Sequence, residues 1–186
     1  GDAATYDLLG VFAENRRKFG DKLDLLIGAR YTYAAADIGN VEHPLTGQRS
    51  SIDDSWDNFS TSGKILWRPL GDRGLELYGG IAQGFRAPNL SDLSRLDTAR
   101  SNEIEISSPD LHPEKFINYE IGLRTSQDNF NAGIAYFYTD IQDMIVRTPT
   151  GAMIDGAFEV TKRNAARGYV HGIELHGDYS PTDRLT

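Results

Sequence analysis

The apolar and polar positions of this chain alternate with a period of two over six of seven segments, which predicts strands rather than helices. Lys22 to Tyr33 sets Leu23, Leu25, Ile27, Ala29, Tyr31 and Tyr33 on one face and Lys22, Asp24, Gly28, Arg30 and Thr32 on the other. Trp56 to Arg68 opposes Phe59, Ile65 and Trp67 to Asn58, Ser60, Ser62, Lys64 and Arg68, and Leu75 to Arg86 opposes Leu77, Ile81 and Phe85 to Glu76, Tyr78 and Arg86. Lys115 to Thr125 directs Tyr119, Ile121 and Leu123 away from Asn118, Glu120 and Arg124. The next strand begins at Phe130 and loses its alternation near Asp140, where a bulge or an exit from regular pairing is expected. Phe158 to Tyr179 opposes Ile173, Leu175 and Tyr179 to Glu174, His176 and Asp178. The opening segment, Tyr6 to Arg17, places Leu8, Leu9, Val11 and Phe12 on both faces and has no defined facing.

Connections alternate in length. They are short at 18 to 22, 70 to 74, 126 to 129 and 180 to 184, and long at 34 to 54, 87 to 114 and 148 to 157. Short turns at one rim and long loops at the other describe a transmembrane antiparallel barrel, with aromatic girdles at its two interfaces. Phe19, Trp67, Phe130 and Tyr179 fall near the short-turn rim; Tyr31, Tyr33, Phe85, Tyr136 and Tyr138 fall near the other. The facing predicts registers. Asp72-Arg73-Gly74 as a three-residue hairpin loop sets Trp67 opposite Gly79 and Ile65 opposite Ile81. A turn over 126 to 129 sets Thr125 opposite Phe130, Leu123 opposite Ala132, Ile121 opposite Ile134 and Tyr119 opposite Tyr136. Pairing Arg86 with Glu114 also sets Glu76 against Arg124, giving two opposite-charge pairs on the polar face.

Composition changes the picture little. A hydrophobic fraction of 39% fits a spanning sheet with a polar inner face as well as a soluble domain. The net charge of -8 and the lack of a basic stripe argue against nucleic acid and against a polybasic membrane anchor. With no cysteine there are no disulfides and no thiolate chemistry. Gly1-Asp2-Ala3-Ala4 has no leader character, so a targeting signal is expected to lie upstream or to have been removed.

Four motifs, in order, then carry a resemblance: Gly84-Phe85-Arg86-Ala87-Pro88; Pro109-Asp110-Leu111 with Pro113-Glu114; Asn118-Tyr119-Glu120-Ile121-Gly122-Leu123; and Asn164 with Gly172-Ile173-Glu174. Each alone is weak; together they resemble the barrel of TonB-dependent outer-membrane receptors. The resemblance implies an all-β antiparallel meander, a segment of a 22-stranded barrel from the C-terminal part of that domain. It also implies a plug domain and final strands outside residues 1 to 186. The parent then binds a scarce nutrient such as a ferric siderophore outside and imports it with energy from an inner-membrane complex, among outer-membrane lipids. No cofactor and no metal site are expected.

The candidate ligand-binding residues are Arg86, Asn89, Arg95, Arg100 and Tyr78, since arginine, asparagine and tyrosine suit an anionic or oxygen-rich ligand. Arg86 and Pro88 have a second reading, in which they end a strand and brace the loop. Some haem-importing relatives follow the Phe-Arg-Ala-Pro box with a loop histidine, and Pro88 to Ser108 contains none. His112 reads as a solvated loop residue, while His171 and His176 lie on opposite faces of one strand and cannot share a metal. Asp53-Asp54 and Asp97 lack the spacing of a calcium loop. No nucleophile elbow, zinc helix or phosphate loop is present, so no enzyme is expected. Two other readings have distinct consequences. A soluble β-sandwich binding carbohydrate or protein would cover its apolar face with a second sheet, and a passive porin would lack a plug.

Overall fold

The computed structural model describes residues 4 to 42, 47, 49 to 71, 74 to 94, 98 to 100 and 102 to 180. Seven long strands form the antiparallel meander that the alternation implies: β1 (Ala4–Phe19), β2 (Leu23–Glu42), β3 (Arg49–Trp67), β4 (Leu75–Arg86), β7 (Glu114–Gln127), β8 (Phe130–Ile154) and β9 (Ala157–Tyr179). Between β4 and β7 the chain makes a short helix, α1 (Leu90–Ser94), and two three-residue strands, β5 (Thr98–Arg100) and β6 (Glu103–Glu105). The sheet order is β1-β2-β3-β4-β7-β8-β9-β6-β5, with β6 parallel to the start of β9. Barrel closure is not part of this sheet.

One face is bare and apolar. Val11, Ile27, Phe59, Ile65, Ile81, Ile121, Ile134, Ile173 and Leu175 lie on it, all exposed, and no second sheet among the described residues covers them. The opposite face is polar near the short turns and buried near the long-loop end, where the segment between β4 and β7 folds over it. Leu93 and Leu111 pack there against Ala34, Ala36, Ile38, Val41, Ile52, Trp56 and Ala87. The alanines on β2 leave room for the leucines of the excursion. Leu8 and Phe12 of β1 share this covered face but remain exposed, so the ambiguous facing of the first strand is real.

Several boundaries differ from the sequence reading. Residues 34 to 54 are not one loop: β2 runs on to Glu42 and β3 begins at Arg49, with Ala34 against Trp56 and Ile38 against Ile52. Ala-rich alternation between polar neighbours hides this extension, because its apolar side is buried only by the excursion. Pro149, Thr150 and Gly151 lie within β8, not in a loop. The hairpin turns instead at Asp155-Gly156, whose φ angles of 49° and 83° suit the tight turn that an Asp-Gly pair favours. At roughly 3.3 Å per residue, β8 is about 80 Å long, far beyond the ~30 Å hydrocarbon core of a bilayer.

The two predicted hairpin registers are each displaced. Trp67 faces Leu77 and Ile65 faces Gly79; Gln127 faces Phe130, so Thr125 faces Ala132, Leu123 faces Ile134, Ile121 faces Tyr136 and Tyr119 faces Tyr138. Both displacements are by two residues, which leaves every side chain on its expected face, because alternation constrains facing but not the choice between registers two apart. The loss of phase near Asp140 is an irregularity over Ile141 to Ile145, with Asp143 at φ 57°. The turn residues Asp72 and Arg73, and those from 181 onward, lie outside the described residues.

Candidate functional site

The excursion is fastened to the sheet by charge. Arg86, closing β4, donates from Nε to Glu114 Oε2 at 2.7 Å and from Nη1 to Asp92 Oδ2 at 2.7 Å. Glu114 opens β7 opposite Arg86 and accepts the Ile145 amide of β8 on its other oxygen, 2.8 Å away. Asp92 belongs to α1, whose start is capped reciprocally: Asp92 N–H donates to Asn89 Oδ1 and Asn89 N–H donates to Asp92 Oδ2, at 2.9 and 3.2 Å. Lys162 of β9 then reaches Asp92 Oδ1 and Glu105 Oε1, both at 3.2 Å, and donates to the Ser91 carbonyl at 2.8 Å. Arg147 Nε lies 2.9 Å from Glu105 Oε2, off the hydrogen-bonding direction, so charge alone holds that pair. Burial pushes the Asp92 carboxyl up, but the Arg86 guanidinium, the Asn89 amide and the Lys162 ammonium outweigh it and hold the group below its ordinary range.

Polar clamps complete the attachment. Asn164 accepts the His112 amide and donates to the carbonyls of His112 and Asp143, each at 2.7 Å, tying the excursion to the irregular stretch of β8. Ser108 shares a 2.9 Å bond with Thr161 and accepts the Lys162 amide at 2.8 Å. Ile106 N–H donates to the Val160 carbonyl at 2.9 Å.

A second charged chain crosses the polar face near the short turns. Arg16 pairs with Asp24; Arg68 reaches Asp24 Oδ2 and Glu76 Oε2, each at 3.0 Å; and Arg124 Nη2 lies 2.5 Å from Glu76 Oε1. Alternating charge thus links β1, β2, the residue just after β3, β4 and β7. Between the two belts Tyr78 lies flat over Gly122, where a Cβ would run into its ring, and Lys64 Nζ sits 4.4 Å from the ring centroid. Gly172 serves the Phe137 ring in the same way, while Glu120 pairs with Lys64 at 3.7 Å.

The first two motifs and Asn164 therefore converge. Phe85, Arg86, Ala87, Pro88, Leu111, Glu114 and Asn164 meet at the root of the excursion, with Ala87, Pro88, Leu111 and Glu114 buried. Pro109, Asp110 and Pro113 bracket Leu111 in the return to β7, Tyr119 is on the bare face, and Glu174 is on the polar face opposite Ala135. Of the ligand candidates, Arg86 and Asn89 are engaged in fastening and capping, and Tyr78 lies on the polar wall well below them. Arg95 falls outside the described residues, as does the side chain of Arg100, which sits in β5. Asp97 is also outside them, and His171 and His176 do stand on opposite faces. Sequence reasoning missed Lys162, Glu105 and Arg147: Glu105 lies on an excursion without periodicity, and Lys162 and Arg147 find their partners only there.

Comparison with known proteins places this geometry. The family described as TonB dependent receptor-like, beta-barrel matches residues 1–186. A probable TonB-dependent siderophore receptor, PirA of Acinetobacter baumannii, is 26% identical over 88% of this chain and 20% of its own length. The ferric enterobactin receptor PirA of Pseudomonas aeruginosa is 31% identical over 58% of this chain and 17% of its own length. The solved hemophore receptor HasR of Serratia marcescens superposes with a TM-score of 0.79 at 20% identity, over 94% of this chain and 32% of that one. This chain thus spans about a fifth of the length of the two PirA receptors. Matched along its whole length, with its first two motifs and Asn164 gathered at one strand-to-loop junction, the chain belongs to the TonB-dependent receptor β-barrel family.

Proposed function

We propose that this chain forms part of the barrel wall of a bacterial outer-membrane receptor that takes up a ferric siderophore by energy coupling to the inner membrane. The observation that carries the reading is the family match over residues 1–186, with siderophore receptors among the relatives. The geometry agrees: the bare apolar face suits lipid, the polar face suits a water-filled or plugged interior, and the excursion is held over that interior at the long-loop end. Plug domain, inner-membrane partner and ligand belong to the proposal, as do the ligand contacts of Arg95, Arg100 and Tyr78. Arg86 and Asn89 act on the ligand by positioning the excursion. The test is receptor-dependent uptake of radiolabelled ferric siderophores by iron-starved cells lacking their other siderophore receptors. Saturable uptake that disappears with the energy-coupling complex is expected. Uptake unchanged by deletion of the receptor, across catecholate and non-catecholate siderophores, would overturn it.

A further inference from the structure

β3 and β4 are paired only at their short-turn end, from Trp67 against Leu77 to Ser62 against Ala82. Beyond that point each keeps its other neighbour: β3 stays on β2 as far as Glu42 against Arg49, and β4 stays on β7 as far as Arg86 against Glu114. At its long-loop end the sheet therefore parts into two leaves, β1-β2-β3 and β4-β7-β8-β9. A side chain bridges the start of the parting. Thr61 donates from its backbone N–H and from its hydroxyl to Gln83 Oε1, each at 3.0 Å, so a glutamine oxygen stands where a main-chain carbonyl would close the next rung. A cavity of about 420 Å³ lies on the polar side of the parting, between Arg30 and Ser60 on one bank and Gln83 to Phe85 on the other. Another of about 240 Å³ lies on the bare side, between Phe59 and Lys115, and Gln83 and Gly84 line both. Phe85, which alternation sets on the bare face with Leu77 and Ile81, instead lines the first cavity and packs against the buried cluster under the excursion.

The excursion is held to the two leaves in different ways. To the second it is tied by directed polar contacts: Arg86 and Lys162 on Asp92, Lys162 and Arg147 on Glu105, and Asn164 on His112. To the first, among the described residues, no hydrogen bond or ion pair joins it, and Leu93 and Leu111 pack on the β2 alanines and Trp56 by apolar contact alone. Apolar contact has no preferred direction, whereas charge-assisted hydrogen bonds fix both distance and angle, so the excursion is free to leave the first leaf while it stays on the second. We propose that the wall is jointed between β3 and β4, with Gln83 as the clasp that closes the joint on Thr61. The second leaf carries the excursion with it as one body. Opening the joint lifts Leu93 and Leu111 from the first leaf and uncovers the polar interior for the ligand.

The passage of ligand rests on the uptake function proposed above, so one readout uses ligand and the other does not. In the whole receptor, Thr61→Cys with Gln83→Cys is oxidised to a disulfide across the joint, and Ser62→Cys with Ala82→Cys makes the same bridge one rung lower, where the strands are paired. Binding and energy-dependent uptake of radiolabelled ferric siderophore are measured on cells before and after reduction. The bridge across the joint should leave binding intact and slow uptake about tenfold or more, reduction should restore uptake, and the lower bridge should change neither. Without ligand, Gln83→Ala should speed amide exchange over 57 to 61 and over 89 to 108 together, by about tenfold or more, with 62 to 67 unchanged. Uptake unaffected by a formed bridge across the joint, binding lost along with uptake, equal slowing by the lower bridge, or faster exchange confined to 57 to 61 overturns the joint. A wild type that takes up no ferric siderophore overturns the proposed function and the passage step with it, and the exchange result then decides the joint alone.

Discussion

Replacing Lys162 with methionine should release the excursion from β9 without unfolding the sheet. The change keeps the aliphatic stem and deletes an ammonium that touches Asp92, Glu105 and the Ser91 carbonyl. Glu105 is 1% exposed, so it cannot turn to water and keeps only Arg147. Breaking a buried pair from one side costs about 3 to 5 kcal/mol, and the remaining Arg147 and Arg86 contacts favour the lower end, about 3 kcal/mol. If that loss falls on local opening, amide exchange over 89 to 108 should accelerate about 100-fold, while the amides of β7 and β8 change little. Hydrogen exchange by mass spectrometry on the intact receptor reads both regions together. Adding Glu105→Gln should recover part of the protection, since it removes the stranded charge. Acceleration below about threefold in the excursion, or equal acceleration in every strand, would refute the reasoning.

Acid should loosen the same attachment. Because the folded-state carboxyl of Asp92 titrates below its ordinary value, it contributes stability above roughly pH 4 that is lost as pH falls through the folded value, so proteolysis of the excursion should rise at pH 3 relative to pH 6. Asn164→Ala removes three bonds to the excursion and to Asp143, and should cost about 2 to 4 kcal/mol of local stability, read as protease susceptibility near His112. Gly122→Val drives a side chain into the Tyr78 ring and should cost about 1 to 3 kcal/mol, measured as a lowered thermal midpoint in detergent, with recovery when Tyr78→Ala is added.

Strand content, facing and the meander were legible because alternation is a local property of each strand and a buried or lipid-facing side leaves a period of two. The pairs Arg86–Glu114 and Glu76–Arg124 were legible for a related reason: Glu76 and Arg86 on one strand, and Glu114 and Arg124 on the other, have the same spacing, so both pairs agree with one register only. Hairpin registers off by two were not legible, because turns 70 to 74 and 126 to 129 admit several lengths with the same facing. The signal for the last long hairpin was present in Asp155-Gly156 and was masked by Pro149 and Gly151, which an unpaired or irregular stretch of strand tolerates.

The site divides along the same line. Sequence alone singled out Phe85 to Pro88, Pro109 to Glu114 and Asn164 through their order and spacing. Only the tertiary structure decided what they do, because Lys162 meets Asp92 and Glu105, and Arg147 meets Glu105, across an excursion whose path no periodicity encodes. Alternation is enforced residue by residue along a strand. The docking of an irregular segment is enforced only by which distant side chains it buries and which charges it leaves without water.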